Sequence, residues 1–148
     1  MIASAQTLRA LKPVEPFEDR KVFEGMSYGL SSAGYDIRIH EDRVIYPGKY
    51  DLAASLECFR MPDHLLGIVH DKSTWARRGL AVQNTVIEPG WKGFLTLELT
   101  NHGGEILRIK AGSPIAQIVF HLLDHPTEKP YTGKYQNQEA GPQIARYE

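Results

Sequence analysis

Lys72-Ser-Thr-Trp-Ala-Arg77 brings two cations and two hydroxyls into six residues, a composition suited to holding phosphate. If Ser73 opens a helical turn, exposed backbone N–H groups and the donors of Lys72, Ser73, Thr74 and Arg77 can converge on one anion. The run lacks the glycine pattern of a P-loop, so nucleoside-triphosphatase chemistry of that type is unsupported. A capped turn with solvated cations accounts for the same residues. Glu98 lies in Phe94-Leu-Thr-Leu-Glu-Leu-Thr100, where strand alternation puts Phe94, Thr96 and Glu98 on one face and Leu95, Leu97 and Leu99 on the core face. A hydroxyl and a carboxylate beneath an aromatic suit a pocket that binds a polar ring and activates water. A strand glutamate is as often an exposed residue on the outer side of a sheet. Glu88 precedes Pro89-Gly90 and serves either that turn or, with Glu98, the placement of a ligand hydroxyl and a water. Lys134-Tyr-Gln-Asn-Gln138 adds a cation, a stacking surface and amides.

The elements that position these residues read as short strands. Tyr35–Ile39, Arg43–Tyr46, Tyr50–Phe59, Leu65–His70, Leu80–Thr85, Gly93–Thr100, Glu105–Ile109 and Ile115–Leu122 carry alternating or continuous apolar runs. Pro-Gly, Pro-Asp, Asn-His-Gly-Gly and Gly-Ser-Pro signals separate them. A short helix over Ser4–Leu11, with Ser4 as N-cap and Pro13 beyond it, and one turn over Ser73–Arg78 are the only helical signals. The pattern predicts a mainly β fold: a sandwich, jelly roll or barrel. From about Asp124 the periodicity stops, and the polar tail is expected to order against a ligand or a neighbouring subunit.

The chain has 148 residues, enough for one domain with its own core. Its net charge of −1, from 17 Lys plus Arg against 18 Asp plus Glu, gives none of the basic excess that a nucleic-acid polymer demands. Cys58 is the only cysteine, which excludes disulfide frameworks and multi-cysteine metal sites. The histidines at 40, 64, 70, 102, 121 and 125 show no paired ligand spacing. Neither a signal-peptide pattern nor a bilayer-length apolar run is present, so a cytoplasmic protein away from membranes is expected.

Ser31-Ser-Ala-Gly-Tyr-Asp-Ile-Arg38, Lys72-Ser-Thr-Trp-Ala-Arg-Arg-Gly79, the run from Glu88 to Asn101, Ile115-Ala-Gln-Ile-Val-Phe120 and Lys134-Tyr-Gln-Asn-Gln138 together resemble the ordered motifs of dCTP deaminases, within the dUTPase-like superfamily. The resemblance covers roughly residues 26–142. It implies a distorted β jelly roll over residues 1–148, assembled as a homotrimer with sites shared between neighbouring chains, and a tail over 124–148 that closes the site. It implies conversion of dCTP and water to dUTP and ammonia, with magnesium on the triphosphate. Glu98 matches the catalytic glutamate; Lys72, Ser73, Thr74 and Arg77 match the phosphate-binding and site-ordering motif, with Arg77 near the reacting carbon. Glu88 matches the residue that holds the sugar hydroxyl, Thr96 and Leu97 line the same strand, and Val82 to Thr85 meets the base. Tyr131, Lys134 and Gln138 match the closing tail. Asp71 departs from the family's usual glycine and is expected to bring a negative charge near the phosphates.

A zinc-type deaminase needs His-x-Glu and Pro-Cys-x-x-Cys, which one cysteine cannot supply. Cytosine deamination here therefore requires a carboxylate as water activator, and Glu98 is the candidate. The alternatives are a dUTPase or dCTP pyrophosphatase with Glu88 directing water at phosphorus, a bifunctional enzyme forming dUMP, and a regulator that binds dCTP or dTTP without turnover. The resemblance also admits dTTP as an inhibitor.

Overall fold

The computed structural model describes residues 1–148. Helix α1 (Ala5–Leu11) is followed by strands β1 (Val14–Glu15), β2 (Lys21–Phe23), β3 (Met26–Leu30), β4 (Tyr35–Arg38), β5 (Arg43–Ile45), β6 (Tyr50–Arg60) and β7 (Leu65–Asp71). The single turn α2 (Ser73–Ala76) precedes β8 (Leu80–Val82), β9 (Val86–Ile87), β10 (Lys92–Asn101), β11 (Leu107–Ile109) and β12 (Pro114–Leu122). Mainly β is therefore the architecture, as the apolar patterning predicts.

The strands form a six-stranded sheet in the order β2-β3-β4-β12-β7-β9, a four-stranded sheet in the order β1-β6-β10-β8, and the pair β11-β5. Ile39, just past β4, bridges Ser55 in β6, so the two large sheets curl into contact at that corner. Between them lies a continuous core that includes Tyr35, Phe59, Phe120, Leu97 and Leu99. Full burial of such side chains stabilises the fold by about 1.5–3 kcal/mol each.

The central ladder of the smaller sheet is β6 against β10, and it slips. Phe94 faces Cys58 but Thr96 faces Ala54, so β6 carries extra residues at that point. Ser55 fills the gap: its Oγ accepts the Leu95 N–H at 2.8 Å and donates to the Glu57 carbonyl at 2.7 Å. A hydroxyl thus replaces the missing ladder bond, leaving no buried donor orphaned.

Two expectations need correction. The predicted continuous strand Leu80–Thr85 ends at Val82, because the chain changes sheets there. Gln83 N–H still donates to the Glu98 carbonyl at 3.0 Å, Thr85 carbonyl already accepts from Val69 N–H at 3.1 Å, and Val86–Ile87 pairs with β7. The tail beyond Asp124 also finds its partner within the chain. It docks on the β9–β10 turn through backbone groups and carboxamides, which need little apolar burial. No helix is long and apolar enough to cross a membrane.

Candidate functional site

The β10 alternation appears in the burial pattern: Thr96 and Glu98 are half-buried, whereas Leu95, Leu97 and Leu99 are buried. Thr96 and Glu98 face a cavity of about 560 Å³ bounded by β9, the β9–β10 turn, the start of β6 and the tail. Thr85, Glu88, Tyr131 and Gln138 line the same space. Phe94 lies beyond the register slip and does not line it; the aromatic walls are Trp91, Tyr131, Tyr135 and Tyr50. Tyr135 is the stacking surface that the sequence of the tail offers; sequence reasoning missed Trp91 and Tyr50 as walls, although Trp91 lies within a singled-out cluster.

Glu98 is the chemically distinctive group. Burial pushes its carboxyl above the usual carboxylate range, and the only hydrogen-bond influence opposing this is its own backbone N–H. No cation of the same chain offsets the burial, because neither lysine nor arginine lines the cavity. A carboxylate raised by desolvation and free of side-chain partners is suited to taking a proton from water near neutral pH. Glu88 is exposed at the rim and its carbonyl closes the turn by accepting the Trp91 N–H at 3.1 Å.

The tail is pinned across this wall. Gln138 Nε2 donates to the Phe94 carbonyl at 2.8 Å and to Thr96 Oγ1 at 2.9 Å, while Phe94 N–H donates to the Gln138 carbonyl at 3.0 Å. Gly93 permits that approach: its φ is +141°, and a Cβ there would stand 2.6 Å from the Gln138 nitrogen. Trp91 Nε1 donates to the Tyr135 carbonyl at 2.7 Å. Gln136 donates through Nε2 to the carbonyls of Gly90 and Tyr131, both at 3.0 Å, and accepts the Lys92 N–H at 2.7 Å. Tyr131 is therefore held against the turn that carries Glu88.

The remaining sequence-predicted residues lie elsewhere in the chain. Ser73, Thr74 and Arg77 are exposed around α2 and do not line the cavity, and Lys134 is exposed with its ammonium 5.6 Å from the Tyr135 ring centroid. Leu97 is 1 % exposed and its side chain points into the core, so only its backbone groups are available to a ligand. Lys72 is not a free cation: its Nζ donates to Asp36 Oδ2 at 3.0 Å, with both side chains about 10 % exposed. Burial raises the Asp36 pKa and the Lys72 ammonium opposes that rise. Asp71, expected to add charge near a phosphate, instead accepts the Val82 N–H at 2.7 Å.

The dCTP deaminase-like family model matches residues 10–123. A dCTP deaminase from Gemmatimonas aurantiaca is 37% identical across 84% of this chain and 86% of its own length. One from Acidobacterium capsulatum is 36% identical across 85% of this chain and 87% of its own. Among solved structures, native EIAV dUTPase superposes with a TM-score of 0.60 at 20% identity, covering 82% of this chain and 96% of that one. The dUTPase from phage phi11 of S. aureus gives 0.58 at 19% identity, covering 80% and 92%. These likenesses place the fold among dUTPase-like structures, and the sequence matches place this chain in the dCTP deaminase-like family.

Proposed function

We propose that the protein hydrolyses dCTP to dUTP and ammonia, with Glu98 as general base. The observation that carries this reading is a half-buried, cation-free Glu98 beside Thr96 in an aromatic-walled cavity. Such a cavity suits a neutral ring and repels a triphosphate. Water adds to the ring carbon that bears the amine, Glu98 takes one water proton and delivers it to the departing nitrogen, the ring nitrogen N3 takes up the proton of the added hydroxyl, and ammonia leaves as the carbonyl forms. Thr85 and the backbone of 82–85 meet the base, Glu88 takes the sugar hydroxyl, and Tyr131 and Gln138 close the site.

The phosphates need cations that this cavity does not contain. Arg77 supplies positive charge and the exposed Ser73 and Thr74 supply hydroxyl donors from a neighbouring copy, in a distorted jelly-roll homotrimer whose sites are shared, with Arg77 reaching the reacting carbon and Lys134 of the tail reaching the triphosphate. Lys72 contributes by holding that run to Asp36. Magnesium would take its ligands chiefly from the triphosphate. A structural Mg(II) ion is named for one phage phi11 dUTPase variant of similar fold.

The test is ammonia release from dCTP with magnesium, run beside Glu98→Gln. Loss of release with nucleotide binding retained supports Glu98 as base; undiminished release would remove it from that role. Shared sites are tested by mixing inactive Glu98→Gln and Arg77→Ala proteins under subunit exchange, which should restore part of the activity. A bifunctional enzyme forming dUMP is the second reading, favoured by the exposed Glu88 carboxylate on the same cavity.

A further inference from the structure

Asp71 is the last residue of β7 and stands directly before the 72–77 run. Its Oδ1 accepts the N–H of Val82, the last residue of β8, at 2.7 Å. Strand β8 is the edge of the four-stranded sheet, paired on one side with β10 only. Gln83 N–H bonds the Glu98 carbonyl, so antiparallel alternation turns the Val82 N–H away from β10, towards the side that has no strand. Val82 is 5 % exposed, and an unpaired N–H there would be costly. The Asp71 carboxylate takes the place of the absent strand's carbonyl. The next residue, Lys72, is fastened in a different direction, to Asp36 on β4.

We propose that Asp71 is a positioning residue that ties the end of β7 to the base-binding segment 82–85 beside the cavity. It fixes Val82, and so the path of 82–85 between β10 and β7, including the Gln83 bond to the Glu98 backbone. The working feature is the hydrogen-bond acceptor, not the negative charge. Glycine or alanine at this position leaves the Val82 N–H unpaired, whereas asparagine can still accept through Oδ1. The inference rests on the deaminase reading of the cavity, yet the tether itself can be measured without it.

The experiment compares wild type, Asp71→Asn and Asp71→Ala by amide hydrogen exchange at Val82 and Gln83, by kcat and KM for dCTP, and by affinity for inorganic tripolyphosphate. In Asp71→Ala, exchange at Val82 should accelerate about tenfold, the scale of one lost hydrogen bond to a charged group, with Leu97 and Leu99 protected as in wild type. KM for dCTP should rise by a similar factor with kcat less affected and tripolyphosphate affinity unchanged. Asp71→Asn should restore both exchange and KM to within about twofold of wild type, since one acceptor replaces another. The proposal is overturned if Val82 exchange in Asp71→Ala matches wild type, if Asp71→Asn behaves as Asp71→Ala, or if both variants tighten tripolyphosphate, which would make charge the agent. Should wild type release no ammonia from dCTP, the deaminase reading fails alone, and Val82 exchange still decides whether the tether exists.

Discussion

Gln138 Nε2 lies 2.9 Å from Thr96 Oγ1, two residues along the strand from Glu98 and on the same face. The Thr96 hydroxyl also accepts the Gln143 N–H at 3.1 Å, so one oxygen ties two points of the tail to β10. Thr96→Val keeps the shape and removes the acceptor. Leaving two donors unpaired should cost about 1–3 kcal/mol of tail docking, read as a rise of about tenfold or more in KM for dCTP. Thr96→Ser should restore it in the same steady-state assay.

Gly93→Ala should undock the tail more severely. The added Cβ meets the Gln138 backbone at 2.6 and 2.9 Å, and φ of +141° is hostile to any L side chain. Limited proteolysis should cleave beyond Asp124 faster in the variant, while the β core remains protected. Equal cleavage of both proteins would show that the tail is not held at Gly93.

Most of the sheet was legible because half-buried strands alternate and turns carry Gly and Pro. The Leu80–Thr85 segment misled because its apolar pattern runs on while its pairing passes from β10 to β7. Strands β1 to β3 gave little signal: Lys21, Ser27 and Gly29 interrupt the alternation, and only the Glu24-Gly25 turn, with φ of +45° and +80°, marks the hairpin. Glu98 was singled out from its strand face and the missing cysteines, and its half-buried place on the cavity wall follows that strand alternation. The partners of Lys72 and Asp71 were not, since Asp36 and Val82 meet them only through tertiary pairing. The 31–38 motif carries the resemblance yet works as scaffold: Tyr35 Oη accepts the Glu18 N–H, Asp36 holds Lys72 and Arg38 holds Glu57.

Glu57 is fully buried and receives both the Arg38 N–H at 2.9 Å and Arg38 Nε at 2.8 Å. Glu57→Ala leaves the guanidinium largely uncompensated and should destabilise the fold by about 3–5 kcal/mol in urea titration. Replacing both partners with apolar residues of similar volume, Arg38→Met with Glu57→Leu, should recover most of that loss. A double variant no more stable than the single one would contradict the assignment.

Burial raises the Glu98 pKa above the ordinary carboxylate range. The proposed base must be ionised to act, so kcat should fall as pH drops through that raised value, at a pH above where a solvated glutamate would titrate. The stability consequence has the opposite slope. A folded pKa above the unfolded one means the penalty for burying the charge is absent below the unfolded pKa and complete above the folded one. Glu98→Gln should therefore be more stable than wild type at neutral pH and lose that advantage in acid, as thermal unfolding across pH would show.

The central claim is that Glu98 directs water at the ring carbon and not at phosphorus. Turnover of dCTP in water enriched with heavy oxygen, followed by mass spectrometry of the products, tests it most directly. Heavy oxygen in the uracil ring of dUTP, with one ammonia released per dCTP consumed and neither product formed by Glu98→Gln, is the predicted result. Heavy oxygen in phosphate alone, with dCMP and pyrophosphate as products and no ammonia, would contradict it.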